Sequence, residues 1–234
     1  MKPANPQPGK VYITGAGPGD SQLLTLRAKA VIELADTILF DNLVNQDILD
    51  WAKPGVEKIF VGKLPYCSVI TQETINQWMV DKALEGKQVV RLKGGDPMIF
   101  GRGAEEAAFL KENGIEFEIV PGVTSALAAG AYSGIPMTHR DGTIVFYMGV
   151  KNIGEIASHL VNAGKSVETL VAVVENGSLP QQKVVTGNLT TISQEVEAAN
   201  IGTPALIIVG EVVKYHQEIN WFNSIQEQYQ QRIA

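Results

Sequence analysis

Five stretches of this chain carry residues suited to chemistry, and each follows a β-rich run directly. "VYIT" (11–14) runs into "GAGPGD" (15–20), and "TILF" (37–40) runs into Asp41. "EKIFV" (57–61) leads to Gly62 and Lys63, "QVVRL" (88–92) to Lys93, Gly94, Gly95 and Asp96, and "FEIV" (117–120) to "PGVTS" (121–125). Glycines let a ligand approach the backbone closely. Aspartates at strand ends can accept protons or oppose positive charge, and the cations can meet carboxylates. The densest stretch is "RLKGGDPMIFGRG", Arg91 to Gly103, with four glycines, three cations and one carboxylate around Met98, Ile99 and Phe100.

Taken singly, each feature has an ordinary reading. Asp41 could cap a helix, Lys63 could be a solvated lysine, and Gly94 to Pro97 could be a turn that opens a helix. Met148 ends an apolar strand and would ordinarily pack in a core, while His139 and Arg140 could be a surface turn. Their shared position says more. Ligands of open α/β sheets bind outside the carboxyl ends of the strands, where loops converge, so five consecutive strand ends of this kind predict one shared cleft. "GAGPGD" fails the dinucleotide-binding spacing, because Asp20 stands where a glycine is needed, and no phosphate-binding P-loop is present.

The elements that must position these residues follow from periodicity. Strands alternate with helical patterns through the first half, the signature of parallel α/β architecture. A helix is expected from an N-cap at Asp20 or Ser21 with Leu24, Ala28, Val31 and Ala35 on one face, and further helices near 72–85 and 103–113. "VTSALAAGAYSG" suits a tightly packed helix. After Pro136 the pattern restarts, with strands "TIVFYM", "TLVAVV", "KVVTG" and "ALIIVG" and helices near 152–163 and 191–199. The expected organisation is a loose tail over 1–10, an N-terminal α/β lobe over 11–138 and a C-terminal α/β lobe over 139–234.

Bulk properties narrow the function classes. An apolar content of 45% and a charged content of 19% are globular values. A net charge of -6 argues against general nucleic-acid binding. No apolar run approaches the roughly 18 residues of a membrane span, and "MKPANPQPGK" reads as a tail rather than a signal peptide. The lone Cys67 permits neither an intrachain disulfide nor a cysteine-based zinc site, and the three histidines lie too far apart in sequence to suggest a metal centre. A cytosolic protein is the expectation.

Several stretches together, in order from about residue 11 to 213, resemble one family. "VYITGAGPGD", "ADTILFDNLV", "VGK", "VVRLKGGDPMIFGRG", "VPGVTSALAAGAYSGIPMTHRD", "TIVFYMG", "VAVVENG" and "PALIIVGEVV" are similar to the uroporphyrinogen-III C-methyltransferases of the tetrapyrrole methylase class. The glycine turn is shared across that class, whereas "RLKGGDPMIFGRG" and "GIPMTHRD" are much more specific. The resemblance implies a homodimer with S-adenosylmethionine as methyl donor, S-adenosylhomocysteine as product, and an active-site cleft between two α/β lobes. The implied reaction is two successive methyl transfers to pyrrole carbons, giving precorrin-2 on the way to sirohaem and cobalamin. The family's cofactor positions would fall on Pro18, Gly94, Gly95, Asp96, Ile99, Thr124, Ser125, Met148 and Gly177. Its proton acceptor matches Asp41 and its proton donor Lys63. Arg91, Lys93, Arg102 and Arg140, with Lys63, are candidates to meet the tetrapyrrole's acetate and propionate arms, a role given to the group and left open against structural pairing.

Three departures matter. Asn42 and Leu64 stand where the family commonly has arginine. In the family a further strand, loop and helix follow "THRD", whereas here Asp141 and Gly142 lead straight to Thr143. Losing a strand exposes an unpaired edge and reduces the core, so the segment is expected to be omitted from this sequence rather than deleted. A true deletion would favour a non-catalytic cofactor-binding module. The other alternative is a same-fold methyltransferase acting on another precorrin.

Overall fold

The computed structural model describes residues 7–62, 70–219 and 221–222. Lys63, Leu64 and Cys67 lie outside the described residues. The chain divides into two compact units, Met1–Thr124 and Ser125–Ala234.

The first unit carries a five-stranded parallel sheet in the order β3-β2-β4-β1-β5. Its strands are β1 (Val11–Gly15), β2 (Thr37–Phe40), β3 (Glu57–Phe60), β4 (Val89–Lys93) and β5 (Phe117–Val120). Alternate residues serve opposite faces, as the strand period of two requires. Tyr12, Ile38, Phe40, Val90 and Leu92 pack against α1 (Leu26–Leu34) through Ala28, Val31 and Ile32. Val11, Ile13, Leu39 and Val89 pack against α2 (Gln72–Leu84) and α3 (Gly103–Glu112) through Ile75, Met79, Ala83, Ala107 and Leu110. Burial on both faces explains why these strands read as nearly continuous apolar runs. Helix α1 starts later than its sequence pattern predicts. Asp20 caps only a short 3-10 turn over Ser21–Leu23, and Thr25 caps α1 by accepting from the Ala28 amide at 3.2 Å.

The second unit holds a four-stranded antiparallel sheet in the order β6-β9-β7-β8. Its elements are α4 (Ser125–Tyr132), β6 (Ile144–Tyr147), α5 (Ile153–Asn162), β7 (Leu170–Glu175), β8 (Lys183–Asn188), α6 (Ile192–Ala198), β9 (Ala205–Val209) and α7 (His216–Ile219). One face packs on α5 and α6. The other receives Ala129 of α4, with Ile135, Val212 and Val213, against Ala172, Val174, Leu206 and Ile208. That packing explains why the units divide at Thr124, earlier than the 138/139 boundary expected from sequence. Helix α4 buries its small-residue face on the second sheet.

The chain is continuous through a turn in which the Gly142 amide donates to the His139 carbonyl at 3.0 Å, and it then enters β6. Strand β6 is an edge, paired only with β9, and its residues are half-buried. The Thr143 hydroxyl just before it is buried without a partner among the described residues. An edge strand of this kind leaves one row of backbone groups unpaired by the sheet. Among the described residues no helix is long and apolar enough to cross a membrane.

Candidate active site

In the first unit β2, β4, β1 and β5 are consecutive neighbours, so the loops at their carboxyl ends lie side by side. These loops are tied together by the backbone. The Ala16 amide donates to the Lys93 carbonyl at 2.8 Å, and Gly17 and Gly95 exchange hydrogen bonds at 3.2 and 2.7 Å. Side chains extend the ties. Asn45 Nδ2 donates to the Gly19 carbonyl at 2.8 Å, linking the loop after β2 to that after β1. Asp96 bridges two further loops, accepting the Met98 amide on Oδ1 at 2.8 Å and the Gly122 amide on Oδ2 at 3.0 Å.

The glycines at this junction are required by close approach. A Cβ on Gly122 would lie 2.2 Å from the Gly95 carbonyl oxygen and 2.8 Å from the Gly15 Cα, and one on Gly94 would lie 2.6 Å from the Leu43 Cβ. Gly95 also sits at φ 67. Beyond Asp96 the chain turns sharply, with Phe100 at φ 54 and Arg102 at φ 58. Left-handed backbone at an aromatic and a long cation is strain held in place by its surroundings. The outcome is an exposed apolar tip of Met98, Ile99 and Phe100 beside the glycine junction. Pro18, Gly94, Gly95, Asp96 and Thr124 are all half-buried around these loops.

Asp41 follows β2 and forms a turn rather than a helix cap. Its Oδ1 accepts the Leu43 amide at 3.0 Å, and its Oδ2 accepts from Arg91 Nη2 at 3.4 Å. Its side chain is 22% exposed. Arg91 and Lys93 do not line a solvent-facing surface. They share the parity of Val89 on β4, so both point into the face covered by α2 and α3. There they meet Glu106, which is fully buried. Glu106 Oε1 takes Lys93 Nζ at 2.8 Å, Gln72 Nε2 at 3.1 Å and Arg91 Nε at 3.2 Å. Burial pushes the Lys93 ammonium below its usual range, with Arg91 adding to the effect and Glu106 opposing it. Of the two roles open to the cations, Arg91 and Lys93 therefore have structural pairing. Arg102 is exposed and pairs with Glu105 at 2.6 Å.

In the second unit Met148 stands at φ 57 with 77% exposure, so it is not the core residue that its strand pattern would allow. A Cβ on Gly177 would sit 3.0 Å from the Ala129 Cβ, so this glycine permits close packing on α4. Ser125 begins α4 and is half-buried. Arg140 is exposed and lies 3.5 Å from Asp141.

Sequence reasoning missed Glu106. In "GRGAEEA" it reads as an acidic residue of a first helical turn, an ordinary solvated position favoured by the helix dipole. A signal was available, because two cations at alternate positions of a buried strand require a carboxylate on the facing helix.

A model of the family described as Tetrapyrrole (Corrin/Porphyrin) Methylases matches residues 10–142. The chain belongs to this family. It is 46% identical to the Uroporphyrinogen-III C-methyltransferase of Bacillus subtilis (strain 168), over 92% of this chain and 95% of that protein. It is also 42% identical to the Siroheme synthase of Psychrobacter sp. (strain PRwf-1) over 95% of this chain, but spans only 52% of that protein. Among solved structures it resembles a uroporphyrin-III C-methyl transferase from Thermus thermophilus complexed with S-adenyl homocysteine. The TM-score is 0.73 and the identity 37%, over 88% of this chain and 93% of that one. A cobalt precorrin-4 methyltransferase gives a TM-score of 0.80 at 29% identity, over 87% and 95%. The Bacillus alignment spans 245 positions, about 30 more than the roughly 215 residues that 92% of this chain represents. The relative therefore carries about 30 residues with no counterpart here.

Proposed function

We propose that this chain catalyses S-adenosylmethionine-dependent C-methylation of uroporphyrinogen III, giving precorrin-2 by two successive methyl transfers. The observation that carries this reading is the set of interlocked glycine loops at adjacent strand ends with the Asp41 carboxylate beside them. The 46% identity to a C-methyltransferase of that name over nearly the full length of both chains favours this substrate over the precorrin-4 type, at 29%.

The residues present fit a sulfonium donor. Gly94 and Gly95 bring bare backbone to the surface, Ile99 offers exposed apolar area, and Asp96 fixes the loops. Pro18, Thr124, Ser125, Met148 and Gly177 complete the cofactor set that the resemblance implies. When bound, the donor supplies an activated methyl group: a carbon–methyl bond forms as the sulfur–methyl bond breaks, and that bond's electron pair stays on sulfur. The protein's part is orientation, which can supply several kcal/mol of a barrier, and removal of the proton that the macrocycle gives up. Asp41 accepts that proton on its partly exposed carboxylate, a role typically worth about 10²–10⁴-fold in rate. Lys63 is the proton-donor position that the resemblance implies, with one proton lost overall for each methyl group gained. Arg102 and Arg140, both exposed, meet substrate carboxylates.

The chain acts in the cytoplasm as a homodimer. Light scattering would show twice the mass of 25.3 kDa. Incubation of the chain with uroporphyrinogen III and S-adenosylmethionine under reducing conditions tests the activity. Absorbance should change as the product forms, with S-adenosylhomocysteine released. Tight binding of S-adenosylhomocysteine with no methylation would replace this reading with a cofactor-binding module.

A further inference from the structure

We infer that Glu106 is a positioning residue, which holds Arg91 against Asp41 and thereby fixes the carboxylate that accepts the proton. The inference rests on the reading of Asp41 given above.

Arg91 is only 4% exposed, and each of its guanidinium nitrogens has a partner. Nε meets Glu106 at 3.2 Å, Nη1 donates to the Leu92 carbonyl at 2.7 Å, and Nη2 reaches Asp41 at 3.4 Å. A guanidinium is planar and rigid, so fixing two of its nitrogens fixes the third. Glu106 is itself held by Lys93 and Gln72, and Gln72 in turn donates to Asn76 at 2.9 Å. The chain of contacts runs from a fully buried carboxylate to one that is partly exposed at a strand end.

The cluster is a poor device for stability. Three donors converge on Glu106 Oε1, while Oε2 is buried with no partner among the described residues. The register neighbours of Arg91 on β1 and β2 are Ile13 and Leu39. In such surroundings an apolar replacement for the whole cluster would generally be as stable or more so. What an apolar replacement cannot do is aim a cation at Asp41. The Asp41 oxygens are thus constrained separately, Oδ1 by the Leu43 amide and Oδ2 by Arg91, and only the second constraint depends on Glu106.

The test is a double-mutant cycle of Glu106→Gln and Asp41→Asn. It reads kcat and KM with uroporphyrinogen III, S-adenosylhomocysteine affinity by calorimetry, and thermal unfolding. Glu106→Gln alone should lower kcat about 10- to 100-fold, the scale of a misplaced catalytic group. KM and S-adenosylhomocysteine affinity should stay within about twofold, the tolerance expected of uncoupled sites. In the Asp41→Asn background the same substitution should change kcat by less than about twofold, because there is no carboxylate left to aim. A merely structural Glu106 would lower kcat by the same factor in both backgrounds, or leave it unchanged in a folded variant, and either result overturns the inference. If Asp41→Asn turns over at the wild-type rate, the proton-acceptor reading itself fails, and this inference fails with it. Should Glu106→Gln not fold, Arg91→Lys carries the same cycle, since it keeps the charge but loses the fork, and the same criteria decide.

Discussion

Replacing Asp96 tests whether one carboxylate ties the loop after β4 to the loop after β5. Its two oxygens accept the Met98 and Gly122 amides at 2.8 and 3.0 Å, so one side chain ties the loop after β4 to that after β5. Hydrogen bonds to a charged acceptor contribute about 1.5–3 kcal/mol each. Asp96 is half-buried, which places each bond near the lower figure. Asp96→Ala should therefore cost about 3 kcal/mol. Asp96→Asn keeps one acceptor and turns an amide N–H toward the other donor, so it should cost about half as much. Urea unfolding at fixed pH measures both as shifts in midpoint at constant slope. With two compact units, the loss should appear in the transition that reports the first unit. Hydrogen exchange at the Met98 and Gly122 amides should quicken in step. S-adenosylhomocysteine affinity should fall more than stability does, because the ligand must then order the loops that Asp96 had ordered beforehand. Equal losses in the Asn and Ala variants would refute the two-acceptor argument and leave charge alone as the cause. No loss in either would refute the tie itself.

Further outcomes follow from other parts of the structure. Gly122→Ala places a methyl group 2.2 Å from the Gly95 carbonyl oxygen; it should cost about 1–3 kcal/mol, as overpacking does, with cofactor affinity falling in calorimetry. Lys93→Met removes one partner of a buried ion cluster and should destabilise the first unit by about 3 kcal/mol in urea, the low end for a broken buried pair because Arg91 and Gln72 still hold Glu106. For Glu118, a hydrogen bond from Arg27, helped by Lys10, lowers the carboxyl pKa from 4.5 to about 2. A carboxyl lowered on folding contributes stability that is present above its ordinary value and is lost as the pH falls toward 2, so Glu118→Gln should flatten the fall in stability across that window. The effect should stay below about 1 kcal/mol, because the pair is partly solvated. A variant with an acid profile like the parent's would show that the pair contributes nothing measurable.

Much of the candidate site was legible in the chain because its cues are local. The apolar runs marked the strands, and the glycines, aspartates and prolines after them marked the turns, since each depends on near neighbours in sequence. The density of "RLKGGDPMIFGRG" coincides with a tight backbone junction, where a Cβ on Gly122 would lie 2.2 Å from the Gly95 carbonyl oxygen. The N-cap of α1 was misplaced because Asp20 and Thr25 are both competent caps, and only packing on β1 and β2 selects the later one.

The tertiary structure decided what depends on which residues meet across long stretches of chain. Strand order brought the ends of β2, β4, β1 and β5 together, and no local pattern encodes that order. Packing assigned α4 to the second unit, where Ala129 joins the core of an antiparallel sheet. It also separated cations that look alike in one dimension. Arg102 stays in solvent, while Arg91 and Lys93 turn inward to a glutamate on a facing helix. Composition and periodicity sufficed for the elements and for the residues at their ends, because hydrophobic burial acts on every segment alike. The partner of a buried charge is a property of the assembled interior, where desolvation makes one particular contact obligatory.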